Sequence, residues 1–189
     1  MNDEVYKKEP IEFLNSWTIN YKNSFEKARE LIKKEQEGRV KTIEYFNFIS
    51  KRITESLETM NKKYSKILKS NLSCEEIYVY NNEKAENIDD KGRHFIDILF
   101  YPIGRRWDTH TFDTPTLEFE ALPNIAHISI KCRTDLSNKP LKPIKELDVN
   151  KFEQNILLEE ANKYILDFMK VASINTSIAA ASIVTDGKI

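Results

Sequence analysis

The densest group of chemically capable side chains lies between two predicted strands, in residues 105–113. These nine residues include two arginines, two aspartates, a histidine and a tryptophan. The guanidinium groups of Arg105 and Arg106 could bind a phosphate or carboxylate through paired hydrogen bonds, and Trp107 stands beside them. Loops on a rigid scaffold commonly carry binding sites. The alternative is a connection stabilised by its own Arg–Asp pairs, with Trp107 covering the edge of the core.

A second candidate group comprises His127 and Ser129. They alternate along a predicted strand, which puts an imidazole and a hydroxyl on one face, as acid–base chemistry requires. The tripeptide resembles the His-x-Ser/Thr dyad of two-histidine phosphoesterases, where two dyads face each other and supply a base and an acid. In this chain the hydroxyl next to His110 comes one position too early for a second dyad. His110, His127 and Ser129 are the catalytic candidates, and no reaction follows from them.

Metal, cofactor and thiol chemistry have little support in the sequence. The three histidines lack the i, i+4 spacing of a helical zinc pair, and the chain's four glycines form no phosphate-binding loop. We therefore expect no metal and no cofactor. Cys74 and Cys132 are predicted to be reduced structural thiols. Glu118 and Glu120 share a strand face and could form a carboxylate pair, but we expect them on the solvated side of the sheet.

Before the strands, the sequence predicts a long helical region. Apolar residues recur at steps of three and four through residues 10–70, which is the spacing of one helix face. The first run ends near Gly38 and a second begins at Val40. The members of the first run are Ile11, Leu14, Trp17, Tyr21, Phe25, Ala28 and Ile32.

Gly38 leaves two architectures open. It could form the turn of a helical hairpin, or one helix could run through it, since glycine costs only about 1 kcal/mol inside a helix. We favour the hairpin because aromatic residues cover more than one face of the second run.

The rest of the chain predicts strands and a second helix. Four runs of β-forming residues within 75–132 suggest a four-stranded antiparallel meander. Residues 134–147 contain two prolines and are predicted to form an extended surface loop. Asp148 has the character of a helix N-cap, and an apolar stripe continues over 148–172. The uncharged tail after residue 172 could extend this helix or add a strand. The predicted fold is one α+β domain over 1–189.

Charge and composition exclude several classes of protein. The 189 residues carry a net charge of −1, which argues against a dedicated nucleic-acid-coating protein. Lys62, Lys66 and Lys69 share a helix face, which we interpret as the solvated side of an amphipathic helix. The charged N-terminus and the lack of a long apolar run predict a cytoplasmic protein without a membrane span.

Three functions remain open, and the least favoured is nucleic-acid binding through the helix that carries Lys62, Lys66 and Lys69. The favoured one is a non-enzymatic interaction or assembly module, a subunit of a homo-oligomer or a larger complex. Its contacts would be made by the apolar helical faces and the C-terminal tail, since exposed apolar seams normally find a partner helix. The alternative is a small α+β enzyme or ligand-binding domain for a phosphorylated small molecule or nucleotide. That alternative depends on the residues in 105–113 and on His127 and Ser129.

Overall fold

In a computed structural model the chain is described over residues 3–81, 93–103 and 114–185. The described elements confirm the α+β class: a long N-terminal helix, a five-stranded antiparallel sheet and a C-terminal helix. Their bounds are α1 Asp3–Asn71, β1 Cys74–Asn81, β2 Phe95–Pro102, β3 Thr116–Leu122, β4 His127–Arg133, β5 Lys142–Asp148 and α2 Gln154–Thr185, with a 3₁₀ turn at Pro123–Ile125.

Helix α1 is continuous through Gly38, so the preferred hairpin was wrong and the single-helix alternative is correct. Its 69 residues correspond to roughly 100 Å at 1.5 Å per residue. The backbone leaves helical geometry only at Tyr64, where φ is −119° and ψ is 19°.

Gly38 is needed for a close approach between α1 and the sheet. A Cβ placed on Gly38 would lie 3.3 Å from the Cβ of Ala126, in the turn between β3 and β4. Ala126 itself has a left-handed backbone with φ 54°. A larger side chain at position 38 would push this turn away from the helix. The glycine therefore marks the point where the sheet begins to cover α1.

The sheet is an antiparallel meander in the order β1-β2-β3-β4-β5, one strand longer than predicted. The extra strand, β5, lies within the segment predicted to be a loop, and it pairs with β4. Pro143 is compatible with a strand here because β5 is an edge strand and the register shifts beside its partner Lys131. The proline does mark a break in regular strand pairing, but the break lies in an edge strand rather than in a loop.

Helix α2 begins later and ends later than predicted. It spans Gln154–Thr185 rather than 148–172, so the tail extends the helix. Asp148 does not cap it: the Asp148 carboxylate accepts a hydrogen bond from the backbone N–H of Asn150 at 2.9 Å. It also pairs with Lys151 at 3.3 Å, within the turn that follows β5. Asn175 and Ser173 anchor α2 through hydrogen bonds to Thr134 and to the carbonyl of Leu72.

The hydrophobic core lies between the two helices and one face of the sheet. The second half of α1 contributes Phe46, Ile49 and Ile53, each at most 2% exposed. Alternate residues of the strands meet them, as the period of two requires. The main sheet and α2 members of this core are Ile77, Ile96, Ile98, Phe100, Leu117, Phe119, Ile128, Ile130, Leu157, Ala161 and Phe168.

Candidate functional site

The first half of α1 carries an apolar surface that the sheet does not cover. We call residues 10–37 the stalk; every one of them is exposed, and Gly38 is the first buried residue of α1 among the described side chains. The large apolar side chains there remain 55–67% exposed. We call the apolar residues of the stalk's main stripe the seam: Ile11, Phe13, Leu14, Trp17, Tyr21, Phe25, Ala28, Leu31 and Ile32.

The seam and the core-facing side of α1 are the same side of one helix. Residues seven apart lie nearly above one another on an α-helix. Trp17 lies fourteen residues before Leu31, and Leu31 lies seven residues before the buried Gly38, so the three lie in one row along the helix. Thr42 and Ile49 extend the row of Leu14 in the same way and are 0% and 2% exposed. The side of α1 that the sheet covers beyond Gly38 is therefore open before it, and the polar residues 33–37 separate the two apolar stretches.

Aromatic residues give the seam much of its area. Trp17 and Tyr21 stack with ring centroids 5.5 Å apart and planes 19° from parallel, and Phe13 and Phe25 lie nearby in sequence. An aromatic side chain presents roughly 150–250 Å², so these four at their observed exposure leave on the order of 500 Å² open. That already equals the largest apolar patch of a typical monomer, and such patches mark interaction sites.

The loop residues singled out from the sequence, 105–113, all fall between two described ranges of the chain. Arg105, Arg106, Trp107 and His110 lie outside the described residues. The ligand-binding role of the two arginines and the tryptophan, and the pairing of His110 with His127, therefore stay predictions.

His127 and Ser129 are both in β4, and their positions agree with the predicted alternation. Nδ1 of His127 lies within hydrogen-bond distance of the Ile125 carbonyl, which occupies one ring nitrogen in a local turn. Ser129 is buried and is paired in register with Glu120 and Glu146. The imidazole and the hydroxyl share a sheet face, and their catalytic role stays a prediction.

Glu118 and Glu120 are buried, so the expectation of a solvated face was wrong. They are 6% and 7% exposed and lie on the face of the sheet opposite the core. Nζ of Lys131 donates to Glu118 at 3.0 Å and also to Glu120. Arg93 donates from Nη2 to Glu118 at 3.3 Å and from Nε to Glu120. Two cations and two carboxylates are thus paired with one another in a group that we call the charged quartet.

The quartet shifts the acidity of its members in opposite directions. Burial alone would raise the pKa of Glu120, but hydrogen bonds from Arg93 and Lys131 outweigh it and hold the pKa below its usual value. Burial would lower the pKa of Lys131, and its bonds to Glu120 and Glu118 raise it instead. Both groups are therefore kept ionised, which suits a structural ion-pair network better than proton transfer.

Asp97 stands next to the quartet without joining it. It is paired in register with Glu118, and its buried Oδ1 accepts no hydrogen bond among the described residues. Burial, together with the charge of Glu118, raises the pKa of Asp97 to about 7 despite Arg93, Lys131 and Arg133.

A cleft of about 280 Å³ opens beside Asp97, with Thr116, Arg133 and Lys139 also in its lining. The guanidinium of Arg133 already donates to the carbonyls of Lys139 and Thr114, each at 2.8 Å. These bonds tie the segment before β5 to the start of β3, so much of the hydrogen-bonding capacity of Arg133 is engaged within the protein.

The two thiols have the character of structural residues. Cys74 is 0% exposed, and burial raises its pKa to about 12, which keeps it protonated and weakly nucleophilic. Burial also raises the pKa of the half-buried Cys132.

Searches for other kinds of site and for relatives give three results. Over the described ranges, no three His, Cys, Asp or Glu side chains converge in a way that could hold a metal ion. Neither helix, as far as it is described, is long and apolar enough to cross a bilayer. Comparisons with protein-family models, curated proteins and solved structures find no match to the chain.

Sequence reasoning found the seam but missed the charged quartet. The apolar spacing of the seam is a local property, readable from steps of three and four. Arg93 precedes the predicted second strand and was assigned no role, and Lys131 is the polar member of an alternating strand. A usable signal was present, since Glu118 and Glu120 alternate in one predicted strand and Lys131 lies in the next strand of the same hairpin.

Proposed function

We propose that the protein is a non-enzymatic assembly module that associates with a second copy of itself through the seam of the stalk. The observation that carries this proposal is that the exposed apolar residues before position 33 lie on the same side of α1 as the residues buried beyond Gly38, with the polar residues 33–37 between the two sets. Beyond Gly38 this side is buried in the core; before it, the large apolar residues on the same side are 55–67% exposed. A second stalk would bury the exposed seam, as the sheet buries the same side of α1 beyond Gly38.

The area of the seam fits a specific interface. The four aromatic residues account for on the order of 500 Å², and the aliphatic seam residues roughly double this. A standard interface buries about 800 Å² per partner. Trp and Tyr are also the residues that most often dominate binding energy in such interfaces.

The polar face of the sheet supports a structural interpretation more than an enzymatic one. Glu118 and Glu120 are paired with Arg93 and Lys131, and Arg133 is bonded to backbone carbonyls. Catalytic groups need free donors or acceptors aimed at a substrate. These contacts hold strands and loops together, and apart from Asp97 the groups of this face named here favour assembly over catalysis.

Trp17→Glu tests the proposal, with Ile19→Glu as a matched control. Ile19 is 61% exposed, like Trp17 at 55%, but it lies two residues from Trp17 and from Tyr21 and thus on the opposite side of the helix. Trp17→Glu places a charge in the seam and should weaken association by 100-fold or more. Ile19→Glu should leave it within threefold. Light scattering over a concentration series measures both.

Equal behaviour of the two variants would contradict the proposal, because it would show that the seam is not the contact. The helix content of both variants, measured by circular dichroism, should match that of the unaltered chain, because neither residue packs against the sheet.

A further inference from the structure

The seam has a pattern of large and small residues that specifies how two stalks can pair. In heptad terms, one row holds Leu14, Tyr21 and Ala28, and the neighbouring row holds Trp17, Ser24 and Leu31. In paired helices these two rows make the central layers, and each layer must be filled to near-constant volume.

A parallel pair in register fills these layers unevenly. Each residue then meets its own equivalent, so Trp17 faces Trp17 and Tyr21 faces Tyr21 in successive layers. The next two layers hold two serines and then two alanines, from Ser24 and Ala28. Two overfilled layers beside two nearly empty ones cost energy both as strain and as cavity.

An antiparallel pair fills the same layers evenly. Residues of one row then meet the other row of the second copy, in pairs whose numbers sum to 45. Trp17 meets Ala28 of the second copy, Tyr21 meets its Ser24, and Leu14 meets its Leu31. Each of these layers joins one large and one small residue or two of middle size, and at the end of the overlap Glu35, the next residue of the first row, meets Pro10 of the second copy. The stacked rings of Trp17 and Tyr21 thus lie on the small surface of Ser24 and Ala28, twice over by symmetry.

The position of the sheet favours the same arrangement. The turn at Ala126 closes on Gly38, on the side of α1 that the seam occupies. In a parallel pair the second helix would continue past Gly38 on that side, into the space that the sheet fills. In an antiparallel pair, residues 8–37 overlap, and the second helix reaches the level of Gly38 only with its first turns.

Charge does not oppose this pairing. Thr18, Phe25 and Ile32 flank the two rows on one side and are uncharged. On the other side of the two rows, Lys27 lies near Asn20 of the second copy rather than near another lysine. The antiparallel pair therefore brings no like charges together at the flanks.

From the layer volumes and the position of the sheet we infer that the stalk's partner is a second copy in antiparallel orientation, with the two sheets at opposite ends. This inference rests on the proposed self-association and adds its geometry. It makes the assembly a closed, two-fold dimer in which each seam is used once.

Distances between spin labels on Lys34→Cys test the arrangement in the full chain carrying Cys132→Ser. In the antiparallel pair, residue 34 lies level with residue 11 of the second copy, so the labels are about 35 Å apart along the axes. In a parallel pair they lie level, separated by the helix spacing of about 10 Å and the reach of the labels. Labels on Asn23→Cys lie on the outer side of each helix but almost level with one another in either arrangement, so their separation is about the same in both and provides the matched control.

Each outcome of this experiment has a definite meaning. A distance at position 34 that exceeds the one at position 23 supports the antiparallel pair. A distance at position 34 that does not exceed the one at position 23 overturns the antiparallel orientation while leaving self-association intact. A chain that stays monomeric over the whole concentration range overturns self-association, and the arrangement with it.

Discussion

At the scale of single residues, the polar face of the sheet shows how burial changes the meaning of a charge. Glu118 and Glu120 sit 6% and 7% exposed because Arg93 and Lys131 neutralise them in the same space. Removing one member of such a group is costly mainly because it leaves the others unpaired. Period-two alternation correctly predicted that the two carboxylates share a face. It could not show that the face is closed, because closure comes from side chains on other segments.

Asp97 gives the polar face a pH dependence that can be measured. Burial raises its pKa in the folded chain to about 7 from 3.8, so the folded state holds this proton more tightly than the unfolded state. The contribution to stability is fully present below about pH 4 and is lost as pH rises through 7. Over that range the free energy of unfolding should fall by on the order of 3 kcal/mol from this group.

Asp97→Asn removes the titration and keeps the side-chain shape. We expect the free energy of unfolding of the variant to exceed that of the unaltered chain at pH 8. The difference between the two free energies should shrink towards pH 4.5. Urea unfolding at three pH values measures it. Asp167→Asn is the matched control, since that carboxylate is 75% exposed. A difference between Asp97→Asn and the unaltered chain that does not change with pH would contradict the assignment.

At the scale of elements, α1 combines two environments that its sequence does not distinguish. The steps of three and four are alike before and after Gly38, which is why periodicity predicted helix throughout and could not choose between a hairpin and a single helix. The glycine was interpreted as a break because its propensity is poor. Its role is tertiary, since a Cβ at this position would lie 3.3 Å from the Cβ of Ala126, a tight contact that the neighbouring turn must relieve by shifting a few tenths of an ångström.

Gly38→Leu tests that role. A leucine must displace the turn at Ala126, and overpacking of this kind costs about 1–3 kcal/mol, partly offset by a gain of about 1 kcal/mol in helix propensity. The difference is a net loss of about 0–2 kcal/mol, and we expect a loss near the middle of this range, about 1 kcal/mol, in the free energy of unfolding. Urea unfolding in the Trp17→Glu background measures it without a contribution from association.

Glu37→Leu serves as the control for Gly38→Leu, because residue 37 is exposed and next to the glycine. It should change stability by less than about 0.5 kcal/mol. If Gly38→Leu proved as stable as Glu37→Leu, the packing role of Gly38 would be wrong and the glycine would be incidental.

The remaining elements show where local patterns stop being sufficient. The meander of β1 to β4 was predicted because alternation and turn residues are local signals. Strand β5 was missed because Pro143 is acceptable only at an edge with a register shift, and strand order is not a local property. The predicted N-cap at Asp148 was wrong for a related reason. The Asp148 carboxylate binds the backbone N–H of Asn150 and the side chain of Lys151, in a turn that precedes the helix.

At the scale of the whole molecule, the chain divides into a part that covers its own apolar surface and a part that does not. The sheet and α2 cover α1 beyond Gly38, while the seam of the stalk stays open. Net charge is near neutral, at −1, so long-range repulsion between copies is small. A second stalk in antiparallel orientation matches the seam in area, in the volume of its layers and in the space left by the sheet.

Sedimentation equilibrium of the unaltered chain from about 1 to 100 μM is the most direct test of self-association, since interfaces of standard size have dissociation constants from the micromolar range downward. We predict a mass that reaches twice the 22.2 kDa of one chain within this range or is already at that value at its lower end. A constant mass of 22.2 kDa at every concentration would contradict the account.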